Sequence, residues 1–509
     1  MAEVRPPARA TNLTEMLARR AAEGGFEGRP AFWSGDRVHI HGEVHEDVAR
    51  AAGLLREVGA RPGDRVLIAL PDQIEFVWAF LGAVRLGAVA VPVNPMLAPD
   101  EHAYMLADAG PAVVVCTADL APRFGSARVL AAEELGDRLA KAEPAPAAEI
   151  TADTPAYAQY TSGTTGQPKG ALHRHADAAA YFEAMGVHAL GLRPEDVSLS
   201  VSKAYFAYGL GNTVFFPLFS GSSAVLFADK PSVPGVVEAA ARYRPTVFYG
   251  VPTFYAGLVA DGDPAAFAGV RAGVSAGEAL LPAFQERAES WLGCPVLDGL
   301  GSTEVGQTFI SNTLERRRPG TIGVVLPPYE AEARDGDGAP VRPGEEGVLH
   351  IRGPSVLLGY LNKPEATAEV LVGGWLRSGD LASLDADGFV HHHGRADDME
   401  MVGGITMSPL EVERLLATHD AVSEIAVAVV RDAGGASRLR AFVVPASTGL
   451  ASAGPGRSSR PDLERELTDL ARHHLAAYKV PRSVAFVDAL PRTPTGKLRR
   501  YILREGRVG

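Results

Sequence analysis

Short apolar runs alternate with helix-patterned segments through most of the chain, and this alternation restricts the fold more than any other feature. "DRVLIAL", "AVAVPVN", "AVVVC", "SAVLF" and "PTVFYGVP" read as buried strands, and segments 73–86 and 234–243 as intervening helices. Strands and helices in that order predict an α/β architecture with largely parallel sheets. A chain of 509 residues exceeds what one core supports, so two or more domains are expected. The texture changes near residue 390. "GFVHHHGRADDM" is a turn-and-strand stretch, "MSPLEVERLLATH" a helix with a Ser/Pro start, and "EIAVAVVRD" and "RLRAFVVPA" are strand-like. The Gly/Ser/Ala/Pro-rich "PASTGLASAGPGRSSRPD" reads as a surface loop. We therefore expect a large domain of layered α/β subdomains over residues 1–394 and a small α+β domain over 395–509.

Several function classes are set aside by composition. A net charge of −12 argues against nucleic acid as the main partner, because phosphate neutralisation needs a basic face. The longest apolar stretch, "FVWAFLGAVRLGAVAVPVN", carries Arg85 in its middle and reads as a helix followed by a buried strand, not a membrane span. The opening "MAEVRPPARA" lacks an apolar signal core. Cys116 and Cys294 form no CxxC pair, which predicts neither a disulfide framework nor a zinc site, and a reducing cytoplasm is expected. The triplet His391–His393 reads as strand, since consecutive side chains there point to opposite faces. "ERRRP" at 315–319 reads as a solvated loop.

The stretch "YTSGTTGQPKGALHRH" (160–175) allows two readings, a solvated Ser/Thr/Gly connector or a loop that wraps a phosphate chain in backbone N–H groups and hydroxyls. Two details favour phosphate. The loop follows the apolar "AYAQY" and precedes what reads as a helical run, a common setting for phosphate loops. Lysine is also scarce, seven against 42 arginines, yet Lys169 falls inside the loop. The Walker A pattern does not fit, because Pro168 stands where the second Gly should be.

The same stretch resembles the phosphate loop of the adenylate-forming superfamily, which includes acyl- and aryl-CoA synthetases, peptide-synthetase adenylation domains and beetle luciferases. Further motifs of that family follow in order: "SAGEALLP" (275–282), "DGLGSTEVGQ" (298–307), "WLRSGDLASLDADGFVHHHGRADDM" (375–399) and "PRTPTGKLRR" (491–500). Within the superfamily, "KAYFAYGLGN" (203–212) and "GSTEVGQTFISN" are most similar to benzoate-type aromatic acid CoA ligases. The resemblance implies ATP-dependent activation of an aromatic carboxylic acid to an aryl-adenylate, followed by thioester formation with coenzyme A. The alternative acceptor is a carrier-protein phosphopantetheine. ATP, Mg²⁺ and a thiol cosubstrate are the implied cofactors. The implied partners are the aromatic acid and, in the second reading, an acyl carrier protein, with the chain a monomer or homodimer.

The resemblance also distributes roles. Thr161, Ser162, Gly163, Thr164, Thr165, Gly166 and Lys169 would cradle the β- and γ-phosphates. Thr303 would bond the α-phosphate and Glu304 would hold Mg²⁺. Asp380 and Arg395 would hold the ribose, while Asp298, with Gly277, Glu278 and Ala279, would meet the base. Leu300 replaces the aromatic residue that many superfamily members stack on adenine. Lys497 would bridge carboxylate and α-phosphate oxygens during adenylation. Asp397 matches the hinge, and Gly403 and Gly404 match the thiol channel or, read plainly, an ordinary turn. Met401 stands where many benzoate-type ligases carry lysine. The acid pocket would be lined by Tyr205, Phe206, Ala207, Tyr208, Gly209, Tyr249, Ala276, Gly299, Gly301, Gly306, Gln307 and Thr308. Gln307 and Thr308 replace the His and Ile common in benzoate-type sequences. Two polar groups there would be costly if left unpaired, so a hydroxy- or amino-substituted benzoate is expected.

Overall fold

The computed structural model describes residues 9–161, 167–402, 405–431, 437–446, 460–493 and 498–505. Ser162, Gly163, Thr164, Thr165, Gly166, Gly403, Gly404 and Lys497, together with residues 447–459 of the Gly/Ser/Pro-rich segment, lie outside the described residues.

Two large sheets carry the chain up to about residue 325. In the first, Arg65–Ala69, Val89–Pro92, Val113–Cys116 and Val129–Ala131 run parallel, and the hairpin Pro155–Thr161/Lys169–Arg174 extends the edge to Gly359–Tyr360. In the second, Ser223–Val225, Val197–Ser200, Val247–Gly250, Ala272–Ser275 and Val296–Gly301 are parallel neighbours, and Thr308–Ser311 turns back against the last of them. The parallel strands are apolar because helices bury them, as the short hydrophobic runs predict. The helix Ile74–Arg85 shows why. Ile74, Phe76, Val77, Trp78, Phe80, Leu81 and Val84 are all buried, so it is apolar on every side and sits inside the core. Arg85 is tolerated because its Nε donates to Ala145 O at 2.8 Å.

One expectation is overturned. The loop after Thr161 is followed by the antiparallel strand Lys169–Arg174, not by a helix, and helical structure begins only at Asp177. The reason lies in the pattern "KGALHR". Ala171 and His173 are fully buried, and Gly170, Ala171 and Leu172 find ladder partners in Tyr160, Gln159 and Ala158. The chain therefore leaves this loop as a strand and not at a helix N-terminus.

Beyond residue 325, Glu330–Arg334, Gly347–Arg352, Trp375–Leu384 and Val390–Arg395 form an antiparallel sheet. The remaining unit packs the helices Pro409–Leu416 and Arg460–His474 on the strands Val422–Arg431, Ser437–Pro445 and Ser483–Phe486, with its own core around Val412, Leu416, Val427, Leu463 and Leu467. Among the described residues, no helix is long and apolar enough to cross a membrane.

Candidate active site

Where the two large sheets, the third sheet and the C-terminal unit meet, a cleft of about 610 Å³ opens. Its walls gather Thr161, Lys169, Phe206, Ala207, Tyr208, Ala276, Gly277, Glu278, Ala279, Gly299, Gly301, Thr303, Glu304, Gln307, Thr308, Asp380 and Arg395. Residues more than 200 positions apart in sequence thus share one cavity, because strand ends from separate sheets converge there.

The turn Ser302–Gly306 is held by its backbone. His173 Nε2 lies 2.7 Å from Thr303 O, Leu357 N–H donates to Glu304 O at 2.8 Å, and the Ser355 hydroxyl donates to Val305 O at 2.7 Å. His173 is itself fixed, with Nδ1 3.1 Å from Asp177 and its ring stacked on Tyr157 at 5.0 Å. Three consecutive carbonyls are tied, so the Thr303 and Glu304 side chains are carried on a rigid turn at the cleft wall.

Glu304 Oε1 accepts a 2.8 Å bond from Tyr360 OH and has no other protein partner among the described residues. No cluster of three His, Cys, Asp or Glu side chains exists among those residues. One carboxylate with a free oxygen fits Mg²⁺ delivered with a triphosphate, since that ion retains waters and takes one or two carboxylates plus phosphate oxygens. The residues present therefore fit the metal, through Glu304.

On the wall formed by the third sheet, Asp380 is buried and its carboxylate lies 3.2 Å from His392 Nε2 and 3.8 Å from Arg395 Nη1. Burial alone would push its pKa up, but bonding to His392 and the charges of His392 and Arg395 overcome this and hold it below the usual value. His392 belongs to the His triplet. Its neighbours serve other partners, His391 reaching Asp385 at 3.1 Å and His393 reaching the Ser383 hydroxyl at 2.9 Å, which suits strand alternation and no shared metal.

Asp298 behaves oppositely. It is buried on the strand Val296–Gly301, one layer behind the cleft wall, and its Oδ1 has no hydrogen-bond partner. Desolvation raises its pKa well above the ordinary carboxylate value despite backbone N–H bonds from Leu280 and Gly299 and the charge of Arg414. Glu278 is engaged across the cleft. Arg492 of the C-terminal unit pairs with it, Leu498 N–H donates to it at 2.5 Å, and Arg492 also holds Glu424 at 2.8 Å. Asp397 lies in the short turn Ala396–Asp398 beside Arg395.

The acid pocket is made partly as expected. Phe206, Ala207, Tyr208, Ala276, Gly299, Gly301, Gln307 and Thr308 line the cleft, whereas Tyr205, Gly209, Tyr249 and Gly306 stand behind it. Tyr205 packs edge-on against Phe206 at 4.7 Å and Tyr249 against Tyr208 at 6.2 Å, so both buttress lining rings. A Cβ on Gly209 would fall 2.0 Å from Lys203 O, and one on Gly306 (φ +86°) would meet the Tyr181 ring at 2.9 Å. These two glycines serve protein packing and make no room for substrate.

Gln307 is saturated. Its Nε2 donates to Tyr208 O and Asn212 Oδ1, both at 3.0 Å, and its Oε1 accepts from Thr308 N and Oγ1 at 2.6 and 2.8 Å. Gln307 and Thr308 therefore satisfy each other, and no ring substituent is needed to pair them.

Behind the loop 203–208 lies a buried Lys203–Asp72 pair at 3.9 Å, with Asp72 Oδ1 accepting from Ala204 N at 2.9 Å. Desolvation pushes Asp72 up to about 6, offset in part by Lys203. Arg316 to Arg318 of the "ERRRP" loop are engaged, Arg317 with Glu289 at 3.1 Å and Arg318 with Asp385 and Asp387 at 2.7 and 2.8 Å, so this segment is ion-paired and not merely solvated. Tyr360, His392 and His173 escaped the sequence reading. Only the adjacency of His392 to a motif aspartate's strand, 12 residues away, offered any signal.

Residues 18–361 match the AMP-binding enzyme family, and residues 411–497 match the AMP-binding enzyme C-terminal domain. The chain is 45% identical to p-hydroxybenzoic acid–AMP ligase FadD22 of Mycobacterium tuberculosis over 97% of its own length and 69% of the relative's. It is 38% identical to benzoate–CoA ligase of Thauera aromatica over 97% of this chain and 95% of that one. The crystal structure of the anthranilate CoA ligase AuaEII in complex with anthranoyl-AMP superposes with a TM-score of 0.89 at 32% identity, covering 99% of this chain and 98% of that one. The chain thus belongs to the AMP-binding, adenylate-forming enzyme family, in its branch of AMP-forming aryl-acid ligases.

Proposed function

We propose that this enzyme activates a hydroxy- or amino-substituted benzoate with ATP and Mg²⁺ and transfers the aroyl group to the thiol of coenzyme A. In the first half-reaction a carboxylate oxygen attacks the α-phosphorus, an O–P bond forms, the bond to the β-phosphate bridging oxygen breaks, and pyrophosphate leaves. In the second, the thiol sulfur attacks the activated carbonyl, a C–S bond forms, AMP departs with the carboxyl oxygen, and the thiol proton passes to solvent. The observation that carries this reading is one continuous cleft whose walls bring together Lys169, Glu304, Asp380, Arg395, Phe206, Tyr208, Ala276 and Gln307.

In this reading Thr161 to Gly166 and Lys169 bind the β- and γ-phosphates, Thr303 the α-phosphate, and Asp380 with Arg395 the ribose. The base lies beside Gly277, Glu278 and Ala279, and Asp298, buried behind that wall, accepts from the adenine amino group only when the wall is displaced. Mg²⁺ on Glu304 neutralises phosphate charge when bound. Residues 1–394 form the ATP- and acid-binding domain and 395–509 a mobile lid that delivers Lys497, with Asp397 as hinge and Gly403–Gly404 along the thiol path. The lid's contact through Arg492 and Leu498 with Glu278, at the base-lining loop, supports an adenylation-type arrangement. The ring substituent is supported by the acids named in two relatives. The free thiols Cys116 and Cys294, pushed up to about 12 and about 11 by burial, suit a reducing cytoplasm.

A second acceptor, the phosphopantetheine of a carrier protein, is favoured by one observation: FadD22 is named for its AMP ligase activity alone. ATP–pyrophosphate exchange over a panel of benzoates, cinnamates and fatty acids tests the first half-reaction. Hydroxy- or aminobenzoates are expected to give the highest kcat/KM. A higher value for plain benzoate overturns the substituent, and exchange with no acid overturns adenylation. Thioester formation with coenzyme A or with a loaded carrier protein then separates the acceptors.

A further inference from the structure

Tyr360 stands at the meeting point of the two groups assigned to the triphosphate. Its hydroxyl donates to Glu304 Oε1 at 2.8 Å, and Lys169 Nζ lies 4.8 Å from the centre of its ring. It lines the cleft while remaining only 7% exposed. The segment carrying it is bonded to both sides of the site. Leu357 N–H donates to Glu304 O at 2.8 Å, Leu358 N–H to Leu172 O at 2.8 Å, and Leu361 N–H to Gly170 O at 2.7 Å. Tyr360 itself is anchored, since its N–H donates to Thr367 Oγ1 at 2.8 Å.

We propose that Tyr360 is a positioning residue for the metal–triphosphate, through Glu304 and Lys169. The hydroxyl pins one carboxylate oxygen and so aims the other into the cleft as a single, oriented ligand. The ring face holds the ammonium by cation–π attraction on the same side of the cleft, without neutralising it as a carboxylate partner would. The arrangement keeps the site's cation and anion from collapsing onto each other before the nucleotide arrives. A direct Lys169–Glu304 ion pair would have to be broken by every incoming triphosphate, and Tyr360 interposes between them. Groups that orient a metal ligand from behind typically alter metal affinity 10–100-fold when removed.

This inference rests on the assignment of Glu304 and Lys169 to the phosphates, and the test separates the two. Equilibrium binding of ATP is measured by calorimetry on the intact protein over a range of Mn²⁺ concentrations, beside acid KM and thermal midpoint. The wild type is expected to bind ATP in a metal-dependent way; metal-independent binding overturns the assignment of Glu304 itself. Tyr360→Phe keeps the ring and loses the hydroxyl. It is expected to raise the Mn²⁺ midpoint about 10-fold, with metal-free ATP binding and acid KM unchanged. Tyr360→Leu is expected to weaken metal-free ATP binding as well, because the lysine loses its seat. If Tyr360→Phe titrates like the wild type, or if metal midpoint, acid KM and thermal midpoint shift together, the positioning role is overturned.

Discussion

Two buried aspartates, Asp380 on the cleft wall and Asp298 behind it, differ in how the folded chain satisfies them. Asp380 is surrounded by donors before any ligand arrives, with His392 at 3.2 Å, Arg395 at 3.8 Å and a carboxyl held below its usual pKa. Asp298 lacks a partner on Oδ1, and desolvation pushes its pKa up. The first is preorganised for charge, as suits hydroxyl donors that need a fixed ionised acceptor. The second holds an unmet acceptor whose cost is relieved by a ligand donor. Ligand recognition can therefore be stored either as a satisfied network or as a buried deficit, and the two respond differently to mutation and pH.

The largest expected effect breaks the satisfied network. Asp380→Asn removes the charge from between His392 and Arg395 and should lower kcat/KM for ATP about 10²-fold, given 1.5–3 kcal/mol for each lost charge-assisted bond. Acid KM should hold, and 2′-deoxy-ATP should show a smaller penalty. The same variant has a pH signature. A depressed folded-state pKa contributes stability that is present above the unfolded value and is lost as pH falls through the folded one. The wild type should therefore lose stability below about pH 4 more steeply than Asp380→Asn, as read from thermal midpoints against pH.

The deficit should answer with the opposite sign in stability. Asp298→Asn removes a carboxyl whose ionisation burial opposes, so the apo protein should gain about 1–3 kcal/mol near pH 7 while discrimination of ATP against ITP falls about 10-fold. A raised folded-state pKa costs stability above the unfolded value and nothing below it, so the gain should shrink as pH falls toward 4. A gain independent of pH would break the comparison. The smallest effect is expected from His392→Gln, which keeps a hydrogen-bond partner for Asp380 but removes the imidazole ring. ATP KM should rise about 5-fold, on the scale of a group acting through another residue.

Much of the site was legible because each motif is local. "GSTE" and "SGD" occupy a few consecutive residues each, as does the motif "SGTTGQPKG", so their order along the chain carried the family resemblance and most of the cleft. The helix expected after the phosphate loop was misread because "ALHRH" carries both periodicities over so short a run, and only pairing with Gln159 and Ala158 decides for strand. Tyr360, 56 residues from Glu304, and His173, 130 residues from Thr303, have no local pattern linking them to their partners. Gln307 and Thr308 were read as polar groups in need of a ligand, because the bonds from Gln307 to Tyr208 and Asn212 depend on how two chain segments meet.

The sequence by itself determined the alternating α/β organisation, the family and most of the residues that gather at the cleft, because hydrophobic period and short-loop chemistry are properties of neighbouring residues. Only the tertiary structure decided which of those residues face the cleft, which buttress it, and which polar groups remain unpaired. Burial and hydrogen-bond satisfaction belong to the packed chain, where one strand's position sets the solvent and partners of another.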